Sequence, residues 1–97
     1  MDLNEFVAWW EENKKRYASI EKSEIIFSPK SVDDSLRLEL DGNGTMGRAT
    51  VWGRGDFVLE ILAFEDGSDL YMASGFLEKR GEIEEKFADF FAVFAGE

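Results

Sequence analysis

Carboxylates dominate the reactive side chains of this sequence, which has 21 Asp and Glu residues and neither His nor Cys. Without His or Cys, the chain cannot use Ser-His-Asp or Cys-His catalysis, move protons through imidazole, or build a cysteine zinc site. Two suitably spaced carboxylates can hydrolyse a glycoside, and several can hold magnesium. No spacing singles out such a set here, so we expect no enzyme, no catalytic residue, no cofactor and no metal site.

Two short motifs look functional but are better explained as turns. Arg54-Gly55-Asp56 is the tripeptide that cell-adhesion receptors recognise, yet Gly-Arg-Gly-Asp is also ordinary hairpin-turn chemistry. The segment 66–69, Asp-Gly-Ser-Asp, brings acids together without the alternating ligands and closing Glu of a calcium loop. We therefore expect neither an adhesion motif nor a calcium site.

The predicted centre of the fold is a hairpin of two strands, 45–53 and 56–64, joined across Gly-Arg-Gly-Asp. Both strands are rich in β-branched and aromatic residues. The second has apolar residues at both parities, so we expect it to be a central strand covered on much of both faces. These residues are Phe57, Leu59 and Ile61 on one face, and Val58, Leu62 and Phe64 on the other.

Helical periodicity predicts one helix at each end of the chain. The first spans about 3–18 and begins at a capping box formed by Asp2 and Glu5. Trp9 and Trp10 lie about 100° apart on it, so one can enter the core while the other lies at its edge. The second spans about 78–95, with an apolar stripe of Ile83, Phe87, Phe90, Phe91 and Phe94.

Three further strands complete the predicted fold, at about 24–28, 35–41 and 70–76. The sequence thus predicts a single α+β domain spanning residues 1–97. Its core is an antiparallel β-meander of four to five strands, flanked by an N-terminal and a C-terminal helix that both pack over the sheet.

The net charge of −10 is unevenly distributed along the chain. Residues 56–97 contain 11 acidic and 3 basic residues, which gives them a charge of −8. Such a field repels phosphate backbones and anionic lipid and attracts a basic partner, although acidity can also serve solubility alone. We expect no direct binding to nucleic acid or membranes. The acidic N-terminus and the lack of a long apolar run predict a cytoplasmic protein.

A family resemblance sharpens this prediction. The chain has Phe6, Val7, Trp9 and Trp10 in its first helix, the segment 47–60 (GRATVWGRGDFVLE) and a closing helix. In these features it resembles the immunity proteins of bacterial contact-dependent growth inhibition systems. It is most similar to the branch whose toxins are tRNA-cleaving nucleases acting with elongation factor Tu. The resemblance implies a cognate toxin C-terminal domain, expected to be basic, as the partner, with elongation factor Tu reached through the toxin.

An inhibitor of such a nuclease would cover its basic cleft with acids around an exposed aromatic anchor. Trp52 is the anchor that we predict, although it could instead pack against a second helix-covered face of the sheet. The candidate toxin-binding residues are Trp52, Arg54, Asp56, Glu65, Asp66, Asp69 and Tyr71. A second candidate surface is the outer face of the last helix, Glu78, Glu82, Glu85 and Asp89.

The alternative function is that of a secretion-chaperone-like protein, since such proteins are also small, acidic α+β domains. A protein of that class binds an unfolded effector segment and is usually dimeric. Broad exposed apolar patches and a symmetric dimer interface would favour it, whereas a compact monomer with an acidic, mainly polar patch would favour the immunity protein.

Overall fold

The computed structural model describes residues 2–29 and 31–96 and contains one five-stranded antiparallel sheet. Its spatial order is β1-β2-β3-β4-β5, so each strand pairs with its neighbours in the chain. The predicted α+β meander is confirmed, and the predicted strand bounds differ from the observed ones by at most two residues. The strands are β1 (Lys22–Phe27), β2 (Ser35–Gly42), β3 (Thr45–Trp52), β4 (Asp56–Ala63) and β5 (Asp69–Phe76).

The first helix is shorter than predicted. Helix α1 spans Leu3–Asn13 and is followed by a 3-10 turn at Lys14–Arg16, so the predicted continuation to residue 18 is wrong. The Asn13 side chain accounts for part of this end, because its Nδ2 donates to the Trp9 carbonyl oxygen at 2.8 Å. Asn favours such local bonds to the backbone over continuing a helix.

The predicted C-terminal helix is broken into two short segments. After a 3-10 turn at Arg80–Glu82 come α2 (Ile83–Lys86) and α3 (Ala88–Phe94). The break lies at Phe87, whose φ of −99° and ψ of 1° leave the helical region. Its ring lies between Phe6 and Phe57, with centroids 5.8 and 5.0 Å away. The break therefore coincides with core packing of Phe87 against two distant elements. The spacing of apolar residues within one segment carries no information about such contacts.

A capping box fixes the start of α1, as predicted. Asp2 Oδ1 accepts from the Asn4 N–H at 2.8 Å, and the Asp2 N–H donates to Glu5 Oε2 at 3.2 Å. Replacing Asp2 by Ala should therefore lower the free energy of unfolding by about 1 kcal/mol. Urea denaturation followed by tryptophan fluorescence measures this loss. Asn4→Ala is the matched control, since Asn4 contributes only its backbone N–H to the box; an equal loss in both variants would contradict the cap.

The helices cover one face of the sheet. Along β2, β3 and β4 fully buried residues alternate with half-buried ones, and the buried set faces the helices. Val58 and Leu62 of β4 point the other way and have no helix over them, so the prediction that β4 is covered on both faces is wrong. The buried sheet residues include Leu36, Leu38, Leu40, Ala49, Val51, Phe57, Leu59 and Ile61.

Aromatic rings fill the layer between the sheet and the helices. Trp9 and Trp10 are both buried, at 5% and 2% exposure, so the expectation that one would lie at the edge is wrong. Both rings contact Phe91 of α3, with centroids 6.1 and 6.0 Å away, and Tyr17 stacks on the same ring at 4.1 Å. Tyr17, in the chain after α1, also stacks on Trp10 with centroids 6.1 Å apart, and so helps to cover Trp10.

Candidate functional site

The uncovered face of the sheet combines ionic and apolar side chains. At its centre, Arg37 Nε and Arg48 Nε lie 3.5 and 3.4 Å from the same Glu39 Oε2. Within residues 2–29 and 31–96 neither nitrogen has a hydrogen-bond partner, although both are shielded from solvent. These three charged side chains are surrounded by apolar residues on the same side of the sheet: Met46, Trp52, Val58, Leu62, Met72 and Phe76. We call this the open face.

Trp52 lies on the open face at the end of β3, where the hairpin turns into β4. The Trp52 side chain is half-buried and lines a groove of about 430 Å³ together with Asp33, Asp34 and Arg54. Arg54 forms an exposed ion pair with Asp56 at the start of β4. The structure thus brings Trp52, Arg54 and Asp56 together, and adds Asp33 and Asp34, which sequence reasoning missed because they precede β2.

The other predicted acids lie at the opposite end of β4. Glu65 and Asp66 are in the exposed turn after β4, and Asp69 begins β5. Since β4 spans Asp56–Ala63, the two ends are about 23 Å apart. The prediction that all these residues group around Trp52 is therefore wrong.

Asp66 is held in its turn by a local hydrogen bond. The Ser68 N–H donates to Asp66 Oδ1 at 3.0 Å, and this bond, helped by the Ser68 hydroxyl, lowers the pKa of the Asp66 carboxyl below its usual value. The Asp66 side chain is fully exposed, so its second oxygen faces solvent. Asp66 is an ionised, preoriented carboxylate at the surface.

Tyr71 does not lie with the other candidates on the open face. It pairs with Ile61 on the helix-covered face, and its ring centroid is 6.3 Å from that of Phe90. Burial, with a smaller effect of Asp89, raises the pKa of the Tyr71 phenol. A bulge in the β4–β5 pairing at Ile61/Leu62 changes which face of the sheet the β5 side chains point to near the start of the strand. No pattern in the sequence predicted this bulge.

The second candidate surface is divided by the break at Phe87. Glu82 accepts a hydrogen bond from the Glu78 N–H at 2.7 Å, which lowers the pKa of the Glu82 carboxyl, and it lies 3.7 Å from Lys86 Nζ. Glu85 and Asp89 are exposed on α2 and α3. Glu82 therefore stabilises a local turn, while Glu85 and Asp89 face solvent.

The edge strand β5 is a feature that sequence reasoning missed. Leu70, Met72 and Phe76 are 47%, 65% and 45% exposed. The available signal was the absence of any charged residue between Asp69 and Glu78, which is unusual in a chain with 33% charged residues. An uncharged, exposed edge strand is a template for pairing with another chain.

Within the described ranges 2–29 and 31–96, no three acidic residues converge as a metal site would require. No helix in the same ranges is both long and apolar enough to cross a membrane. An open groove of about 570 Å³ lies between the turn after α1 and helix α3, lined by Tyr17, Phe91, Glu84 and several alanines.

A protein-family model described as immunity protein TriTu matches residues 4–93, which run from α1 through all five strands into α3. Searches of curated proteins and of solved structures found no match. The match confirms the resemblance to an immunity protein, and such a protein acts as an inhibitor of a toxin. The chain therefore belongs to the family of immunity protein TriTu.

Proposed function

We propose that this protein neutralises the toxin of a contact-dependent growth inhibition system by covering a basic, RNA-binding active-site cleft. The family match over residues 4–93 carries the proposal, because an immunity protein has a cognate toxin as its partner. The proposed toxin is a tRNA nuclease, which acts in the cytoplasm, so the complex forms there. Elongation factor Tu is bound by the toxin and reaches the immunity protein only through it.

Charge complementarity supports a nuclease as the partner. A protein that grips tRNA presents Lys and Arg to the phosphates, and a chain with a net charge of −10 competes for the same surface. Opposite charge also speeds association, which matters for an inhibitor that must act before the toxin reaches its substrate. Blocking requires no reaction by the immunity protein.

The open face supplies a surface of the right size. A standard interface covers about 800 Å² of each partner, so one interface can span the roughly 23 Å between the two ends of β4. Trp52 is then the anchor at one end, flanked by Asp33 and Asp34, and Asp66 and Asp69 provide charge at the other. A buried aromatic anchor with a charged rim is typical of tight interfaces.

The experiment is to co-express the protein with the domain encoded immediately upstream and to measure tRNA cleavage. We expect a one-to-one complex in which cleavage stops at equimolar inhibitor and resumes when the inhibitor is removed. Continued cleavage by a stably bound toxin would contradict the covering of the active site. Capture of an unfolded effector segment would favour the secretion-chaperone alternative.

Reversing charge at Asp66 and Asp69 should slow toxin association about tenfold and reduce its dependence on salt. Asp66→Lys with Asp69→Lys changes the net charge from −10 to −6. The matched control is Glu11→Lys with Glu24→Lys, which makes the same change in net charge on α1 and β1. Stopped-flow association at two salt concentrations measures the difference; equal slowing in both variants would show that only net charge matters.

A further inference from the structure

Hydrogen bonding shows which backbone groups of β5 face outward. The Leu77 N–H donates to the Gly55 carbonyl oxygen at 2.8 Å, on the β4 side. Because the direction of the backbone groups alternates along an antiparallel strand, those of Phe76, Ser74 and Met72 point away from β4. β5 is last in the sheet order, so no strand within residues 2–29 and 31–96 pairs with these groups.

The two edges of the sheet are protected differently. β1 carries Lys22 and Glu24, and Pro29 follows it, which are features that discourage pairing with another chain. β5 has no charged residue after Asp69, and only its C-terminal end is closed, by Lys86 Nζ donating to the Phe76 carbonyl oxygen at 2.6 Å. The middle of β5 is thus left available for pairing.

The surroundings of β5 specify the chemistry of what would pair with it. On the open face, Met72 is exposed beside Glu60 of β4, and Phe76 is exposed further along. On the helix side, Asp89 is exposed on α3 next to Phe90, whose ring centroid is 6.3 Å from that of Tyr71 on β5. An added strand would therefore meet apolar side chains and a carboxylate on one face, and a carboxylate on the other.

We propose that β5 pairs with an extended basic segment of the toxin, which becomes a sixth strand of the sheet. This inference rests on the proposed function and specifies the surface that binds. The segment places apolar side chains against Met72 and Phe76, and Lys or Arg against Asp89 and Glu60. Main-chain hydrogen bonds supply part of the affinity, and the alternating side chains supply specificity.

A second copy of this chain fits the same edge poorly. Two copies each carry a net charge of −10, so pairing two β5 strands would bring two strongly acidic molecules together. Like charges placed together across an interface oppose association. A basic partner relieves this repulsion, so the charge favours the toxin over self-association.

Proline substitution tests the pairing directly. Ser74→Pro removes one outward N–H without removing a bond to β4, and we expect it to weaken toxin binding about tenfold, as the loss of about one hydrogen bond would. Ser23→Pro is the matched control on β1. The Ser28 N–H donates to the Ser35 carbonyl oxygen, so alternation points the N–H of Ser23 away from the sheet as well. Titration calorimetry with the upstream-encoded toxin domain measures both affinities.

The outcomes separate this inference from the function on which it rests. If wild type inhibits the toxin and both proline variants bind equally well, the β5 docking site is wrong and the immunity function stands. If wild type does not inhibit the toxin, the proposed function itself fails. Weak binding by Ser74→Pro alone, with an unchanged circular dichroism spectrum, supports the docking site.

Amide hydrogen exchange gives the same answer without a substitution. In free protein, the amides of Met72, Ser74 and Phe76 should exchange quickly, and toxin binding should slow them at least tenfold, while the Ser23 amide is unaffected. Unchanged exchange at β5 in the complex would overturn the proposal. Protection that rises with the concentration of the free protein would overturn it in favour of self-association.

Discussion

Replacing Phe87 by Ala is expected to lower the free energy of unfolding by about 3–5 kcal/mol. Phe87 is fully buried, and its ring lies 5.0 Å from Phe57 on β4 and 5.8 Å from Phe6 on α1. It therefore joins the sheet, the first helix and the break between α2 and α3. Removing the ring leaves a cavity that the surrounding core residues can close only in part.

Guanidinium denaturation followed by tryptophan fluorescence measures this loss, because Trp9 and Trp10 lie in the same layer. Phe64→Ala is the control, since Phe64 is 60% exposed in the turn after β4 and its truncation should cost less than about 1 kcal/mol. Similar losses in the two variants would show that burial at Phe87 does not determine the stability of this layer.

Gly55→Ala is expected to be nearly as damaging, at roughly 3 kcal/mol. Gly55 has a φ of +112°, and a Cβ atom there would lie 2.2 Å from the Leu77 carbonyl oxygen. Residues other than glycine rarely adopt that backbone conformation. The close contact is with a backbone oxygen, which cannot rotate away as a side chain could. The Leu77 N–H also bonds to the Gly55 carbonyl oxygen, so the junction between β5 and the last helices would have to move.

Gly67→Ala provides the matched control for Gly55→Ala. Gly67 also has a positive φ, +71°, but nothing lies within 4 Å of its added Cβ. It should lose only about 1 kcal/mol, the cost of a left-handed conformation. Thermal unfolding by calorimetry compares the two; equal losses would mean that backbone conformation alone, without the clash, accounts for the effect at Gly55.

Phe87 is buried between the sheet and the helices, so it lies outside the proposed interface. Toxin binding by Phe87→Ala should therefore fall only as the folded fraction falls, and stabilising conditions should restore it. Loss of binding by a fully folded Phe87→Ala variant would instead place this residue in the interface. This separates stability from recognition when the interface variants are interpreted.

Local patterns predicted the elements because each pattern depends on neighbours in the chain. The alternation of Leu36, Leu38 and Leu40 marks β2, and the capping box of Asp2 and Glu5 marks the start of α1. Strands joined by short turns usually pair with each other, so the order of strands in the meander could also be predicted from the sequence. The expectation of a toxin as the partner came from the family resemblance, which requires no coordinates.

Long-range packing decided what those patterns left open. Apolar residues at both parities of β4 predicted cover on both faces, but the helices are too few to cover two, and Val58 and Leu62 are left on the open face. The spacing of Ile83, Phe87 and Phe90 suits one helix, yet the Phe87 ring is held between two other elements and the helix breaks there.

The candidate site divides in the same way. Sequence by itself determined that the chain is acidic and contains Trp52 as a candidate anchor, since charge and composition are properties of the chain. Only the tertiary structure placed Asp56 and Asp69 at opposite ends of β4 and turned Tyr71 inward at a bulge. It alone left β5, which has no charged residue after Asp69, at the edge of the sheet. Distance, parity and edge position depend on which strands pair and in what register, and pairing is a property of residues that are far apart in the chain.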